Sequence, residues 1–161
     1  MVNLIEYLIK EKKISKINEL EKERYINFLD NSYKDNLEHC KFSINKFPRW
    51  SIISGYYSMH DITKLFIAKK FNIKIDFEVH STTIKVLRSI IHEEDLINLI
   101  EEGYNKFKSL ASDLNEAKKE RVKVQYYTNT SFMKEEYITK SNIFLEKTVI
   151  VYLNRIEELL K

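Results

Sequence analysis

The chain has 161 residues, 43% of them hydrophobic, and carries a net charge of +3 from 27 Lys and Arg against 24 Asp and Glu. That length suits one domain around a single core, and the charge is small for a nucleic-acid binder, which often presents a strongly basic face. Two glycines and one proline are too few for the turns of a hairpin-rich β architecture, so an all-α fold is expected.

The single cysteine, Cys40, has no partner for an internal disulfide and fits a reducing compartment. MVNLIEYLIK places charges within and after a short apolar patch, unlike a signal peptide. No apolar run approaches the roughly 20 residues that span a bilayer. The expectation is one soluble, cytoplasmic domain over residues 1–161 with no membrane contact. Only five of the basic residues are arginines (Arg24, Arg49, Arg88, Arg121 and Arg155), which singles them out for inspection.

In chain order, residues 2–10 predict a short helix and KEKKISK a polar connection. Residues 17–28 alternate charged and apolar residues at helical spacing. Asp30, Asn31 and Ser32 are N-cap types ahead of Tyr33, Leu37 and Cys40, predicting a fresh helix start there. Pro48 suits the first turn of a helix running to about Phe71, with Ile52, Tyr56, Met59, Thr63 and Phe66 on its buried stripe. Tyr56 and Tyr57 are expected in the core, and His60 as a hydrogen-bonded core histidine. NIKIDFEVH, residues 72–80, alternates like a strand, but without an evident second strand it is expected to be an extended connector.

Ser81 is expected to cap a helix carrying Ile84, Leu87 and Ile91, with a break at residues 92–94. Asp95 to Lys108 continues helically, weakened at Gly103. From Ser109 to Tyr126, Leu110, Leu114, Ala117, Arg121 and Val124 recur at steps of four and three, which turns Arg121 toward the core or a partner. Residues 128–132 are expected to be a loop, and Met133 to about Leu160 a long final helix.

An inward arginine either ties helices together through an ion pair or presents a planar fork to phosphate. Tyr126 and Tyr127 lie close behind it to stack a base or donate a hydrogen bond, although position i+5 shares a helix face poorly with Arg121. Arg88 and His92 in RSIIH, at i and i+4, suit phosphate stabilisation and proton transfer. The plainer alternative for that pair is a surface arginine and a histidine at a helix C-terminus. His39, His60, His80 and His92 show no metal-ligand spacing, and no Gly-rich phosphate loop, nucleophile elbow or HExxH motif is present. No metal and no cofactor are expected.

Three stretches together resemble the HEPN domain superfamily, in particular its small stand-alone prokaryotic members. They are RWSIISGYYSMHDITKLFIAKKFNI (residues 49–73), HSTTIKVLRSII (residues 80–91), and ERVKVQYY (residues 120–127) followed by a helix ending FLEKTVIVYLNRIEELL. The resemblance covers roughly residues 30–160, leaving residues 1–28 as an N-terminal helical extension. It implies an up-and-down helical bundle of four to five core helices, usually a homodimer with a cleft between protomers. Many such proteins are metal-independent ribonucleases, and many are toxins paired with a nucleotidyltransferase antitoxin. Their motif is an arginine followed after four to six residues by a histidine, often with a tyrosine two residues further on. Carried over, Arg121 takes the arginine position, Tyr126 or Tyr127 stands where the histidine would be, and Thr128 stands at the later tyrosine.

The expectation that follows is a component of a toxin–antitoxin or defence system with a degenerate ribonuclease motif. It would bind nucleotide, RNA or a nucleotidyltransferase partner through a dimer cleft around Arg121 and Tyr126. The alternatives are an active ribonuclease, using Arg121 with a tyrosine or Arg88 with His92, and a structural helical adaptor with Arg121 in an ion pair.

Overall fold

The computed structural model describes the backbone of residues 3–123 and 130–161 and the side chains of residues 3–110 and 134–161. Helix α1 (Leu4–Lys10) starts where the Asn3 side chain accepts from the Ile5 N–H at 3.1 Å. Strand β1 (Ile14–Lys16) follows, then α2 (Glu19–Ser43), α3 (Pro48–Phe71), strand β2 (Ile73–Ile75), α4 (Val79–Ile90) and α5 (Glu94–Lys123). The chain closes with α6 (Thr130–Phe144), a π-helical turn (Leu145–Val149) and α7 (Ile150–Leu160). The fold is an all-α helical bundle with one small two-stranded sheet among the described residues. No helix among them is long and apolar enough to cross a membrane.

Helix α3 is the axis of the bundle. Apolar and small residues occupy nearly every position from Ser51 to Ala68, so most of its surface is buried among other helices, with Ile53, Tyr57 and Lys64 half-buried. The polar groups this traps are bonded. Ser51 donates to the Cys40 carbonyl at 2.7 Å, Ser58 to the Tyr33 carbonyl at 2.7 Å, and Thr63 shares a 2.6 Å bond with the Tyr152 hydroxyl. Residues 33 and 40 of α2 thus meet residues 58 and 51 of α3, an antiparallel pairing. Along α6 and α7 the order is the same as in α3: Ser141 bonds the Pro48 carbonyl, Val149 approaches Gly55, and Tyr152 reaches Thr63. At Gly55 a Cβ would stand 3.0 Å from Val149 Cγ2 and 3.1 Å from Cys40 Sγ, so only glycine lets these helices approach so closely. Gly103 plays the same part in α5, where a Cβ would lie 3.0 Å from Met59 Sδ.

Several expectations about the elements are corrected. The helix over residues 17–28 and the one expected to start at residues 30–32 are one continuous α2, capped by Asn18. The Ser32 hydroxyl does not cap; it donates to Asp61 Oδ2 on α3 at 2.7 Å, beside Asn36 at 3.1 Å. The stretch at residues 72–80 does have a partner, because β2 pairs antiparallel with β1 inside KEKKISK, in the register Ile14↔Ile75 and Lys16↔Ile73. Alternation buries Ile14, Ile73 and Ile75 there, and Asn72 in the left-handed region (φ 57°) releases the chain from α3 into the strand. The N-terminal segment is therefore packed into the core through Leu8, Ile14 and Ile17.

Helix α4 begins at Val79, two residues before the expected cap, so Ser81 sits inside its first turn. The final helix widens into the π turn where Phe144 and Val149 close on Gly55, a bulge that realigns its buried stripe.

Candidate functional site

Arg121 lies within the range of α5, but its side chain, like Tyr126, Tyr127 and Thr128 altogether, falls outside the described residues. The second expected pair is not brought together on a helix face. Helix α4 stops at Ile90, and Ile91 is extended (φ −120°, ψ 136°), so His92 leaves the helix before it can stack one turn above Arg88. His92 is exposed, whereas Arg88 turns to Glu101 on α5 and forms an ion pair with it.

That ion pair closes one end of a groove of about 370 Å³ between α4 and α5. From α4 the groove takes Ser81, Ile84, Lys85 and Arg88, a stripe at i, i+3, i+4 and i+7. Glu101, Tyr104, Asn105 and Lys108 supply the matching stripe from α5. The helices run antiparallel, with Arg88 against Glu101 at one end and His80 against Tyr104 toward the other. Three cations face one carboxylate, and that carboxylate is engaged by Arg88, so Lys85 and Lys108 carry the excess positive charge. The Lys108 ammonium lies 4.3 Å from the centre of the Tyr104 ring. Donors outnumber acceptors in the groove, and an aromatic face stands in its middle.

Behind Tyr104 the groove is backed by a layer of rings. His80 stacks on Tyr104 at 5.6 Å with planes 14° apart, and lies 4.8 Å from His60. The Tyr56 hydroxyl is 2.8 Å from His80 Nδ1. Burial pushes the Tyr56 hydroxyl far up, so it keeps its proton and can donate it to a neutral His80 that carries its own proton on Nε2. His80 itself is lowered by burial, then by Lys64, with Asp61 acting the other way.

His60 is 1% exposed and is lowered to about 3 by burial, then by Lys64 and His80. The Thr83 hydroxyl donates to the Val79 carbonyl at 2.6 Å, so its oxygen accepts from His60 Nε2 at 3.2 Å. His60 Nδ1 is left without a partner in the core, 3.9 Å from Asp61. Both histidines are therefore neutral near pH 7, and His60 is a bonded core histidine as expected. Tyr56 is fully buried, as expected, whereas Tyr57 is only half-buried against the edge of the core.

Among the described residues no group of three His, Cys, Asp or Glu is placed to hold a metal ion. Cys40 is buried, and burial raises its thiol, which makes it a packing residue rather than a nucleophile.

The sequence reading missed Lys85, Tyr104 and Lys108. The signal was present as two stripes of the same spacing flanking the break at residues 91–93, but their pairing depends on α4 and α5 folding back on each other. Compared with known proteins, the chain matches no family model, no curated protein and no solved structure.

Proposed function

We propose that this chain is a HEPN-like helical-bundle protein that binds nucleotide or RNA, as a component of a toxin–antitoxin or defence system. In this reading it acts as a homodimer, with a nucleotidyltransferase as its partner protein. The observation that carries the binding reading is the groove between α4 and α5, where Lys85 and Lys108 flank the Tyr104 ring. Two ammonium groups suit a phosphate, an aromatic face suits a base, and Arg88 keeps N–H donors beyond those engaged by Glu101. A volume of about 370 Å³ matches a nucleotide-sized ligand rather than a duplex. The helix order of the resemblance, with α3, α4, α5 and the α6–α7 pair in sequence, supports the same reading. Cleavage draws no support from Arg88 and His92, since the end of α4 separates them.

The test is titration of AMP and of a short RNA, by calorimetry or fluorescence anisotropy, against wild type, Lys85→Ala and Lys108→Ala. Each variant is expected to weaken binding about tenfold, on the scale of one lost charge-assisted contact. Parallel incubation of mixed RNA in EDTA with wild type, Arg121→Ala and His92→Ala is expected to leave the RNA uncut. Unchanged affinity in both lysine variants refutes the groove as the binding surface. Cleavage by wild type that Arg121→Ala abolishes establishes the ribonuclease reading instead.

A further inference from the structure

The connection from α2 into α3 carries the least explained surface of the described chain. Phe42, Phe47 and Trp50 expose 72%, 58% and 61% of their areas there, although side chains of this size are ordinarily covered. The stretch KFSINKFPRW, residues 41–50, also contains Lys41, Lys46 and Arg49 and no acidic residue, although Lys41 pairs with Glu38 one turn earlier on α2 at 3.5 Å. Three positive charges are thus interleaved with three large rings on one short segment. Two of the cations lie over rings: the Lys46 ammonium 5.9 Å from the centre of Phe42, and the Arg49 guanidinium 5.8 Å from that of Tyr137 on α6.

We propose that this aromatic, basic end of the α2–α3 pair binds a single-stranded nucleic-acid segment, with bases stacking on Trp50, Phe47 and Phe42 and phosphates meeting Lys46 and Arg49. Alternating ring faces and cations with no acid between them is the chemistry that holds a single strand without reading its sequence. Continuity with the groove favours a strand over any other anionic surface. Trp50, Ile53 and Tyr57 follow at i, i+3 and i+7 along α3, and Tyr57 lies 5.8 Å from His80 and 5.6 Å from Phe107, beside the rings that back Tyr104. One face of α3 therefore leads from the groove to the exposed aromatics, a path about 10 Å long at the rise of a helix. The inference shares its ligand class with the function proposed above but rests on different residues.

Trp50 is the chain's single tryptophan, so its fluorescence reports this surface alone. Titration with a 12-nucleotide RNA and a 12-nucleotide single-stranded DNA is expected to quench it, while AMP, which fills only the groove, leaves it unchanged. Binding of either oligomer supports the proposal, and the tighter of the two identifies the strand. Lys46→Ala/Arg49→Ala is expected to weaken oligomer binding at least tenfold and to lower the slope of log affinity against log salt by about 1.4, at about 0.7 per cation for single strands. Phe47→Ala is expected to weaken it about fivefold or more. These side chains are exposed, so circular dichroism and melting temperature are expected to match wild type.

Loss of binding in Lys85→Ala and Lys108→Ala, with Trp50 fluorescence and the tip variants unaffected, overturns this proposal and leaves the groove standing. The reverse pattern overturns the groove and leaves the tip. Vesicles of phosphatidylcholine and phosphatidylserine that shift Trp50 emission to the blue, where the oligomers change nothing, refute the proposal in favour of a lipid surface.

Discussion

Burying His60 as the neutral imidazole makes the fold sensitive to mild acid, and the size of the effect follows from its surroundings. The ring is 1% exposed on α3, with Lys64, His80 and Asp61 as its titratable neighbours, and it is held to about 3 against an ordinary 6.5. Between those values the unfolded chain binds a proton that the folded chain refuses, so stability falls as pH drops below 6.5. Each pH unit costs about 1.4 kcal/mol, giving about 2 kcal/mol lost between pH 6.5 and pH 5. Against a typical total of 5–15 kcal/mol for a domain, that is a large share. His80, also lowered by burial, contributes with the same sign.

Urea unfolding at pH 7.5, 6.5, 5.5 and 5.0, followed by circular dichroism, measures the slope before most carboxylates titrate. His60→Gln keeps a polar side chain able to reach Thr83 but does not titrate, so its curve is expected to lose most of the slope below pH 6.5. A wild-type protein equally stable at pH 7.5 and pH 5.0 refutes the reasoning, as does a His60→Gln variant that keeps the full slope.

Other substitutions test the packing around α3 and the groove. Gly55→Val places side-chain atoms where Val149, Cys40 and Phe144 already stand within 3.0–3.2 Å of a bare Cβ, and is expected to cost about 2 kcal/mol or more in chemical denaturation. Asp61→Ala leaves Ser32, Asn36 and Lys64 without their shared acceptor and is expected to destabilise by about 3 kcal/mol by the same measurement, with Asp61→Asn milder. Arg88→Ala removes an exposed ion pair and is expected to change stability by under about 0.5 kcal/mol, while weakening AMP binding severalfold in calorimetry.

The central helix was legible because two independent signals agreed on it, Pro48 at its start and a stripe through Ile52, Tyr56, Met59 and Phe66. What periodicity did not reveal were the places where a residue's local preference is overridden from a distance. Ser32 is a good cap in isolation, yet Asp61 draws its hydroxyl sideways across to α3, and α2 runs on unbroken. NIKIDFEVH alternates like a strand, but its partner is three residues inside a lysine-rich connection, where only Ile14 signals burial. The RSIIH pair failed for a local reason. The i, i+4 pairing needs a helix face through residue 92, and the chain becomes extended at Ile91. The groove is the converse case: each half is an ordinary amphipathic stripe, and its chemistry exists only once α4 and α5 are antiparallel.

The ring layer gives the groove a fixed back wall, and one hydroxyl holds it. Tyr56 is buried, its hydroxyl bonds His80 Nδ1 at 2.8 Å, and His80 stacks on Tyr104, so the orientation of the groove's aromatic face traces back through two rings to the central helix. Removing only the hydroxyl, in Tyr56→Phe, keeps the ring contacts with Phe107 at 5.0 Å and Tyr104 at 5.8 Å, so the fold is expected to survive with about 1 kcal/mol lost. His80 then has no donor at Nδ1. Its two neutral tautomers become comparable, and its affinity for a proton rises because the bond that favoured the neutral ring is gone. Imidazole nitrogen shifts in 15N NMR separate these states directly. Wild type is expected to show His80 protonated at Nε2 alone, and Tyr56→Phe a mixture that titrates at higher pH. A wild-type spectrum with the proton on Nδ1 refutes the assignment, because His80 would then donate to the Tyr56 oxygen and the bond would run the other way.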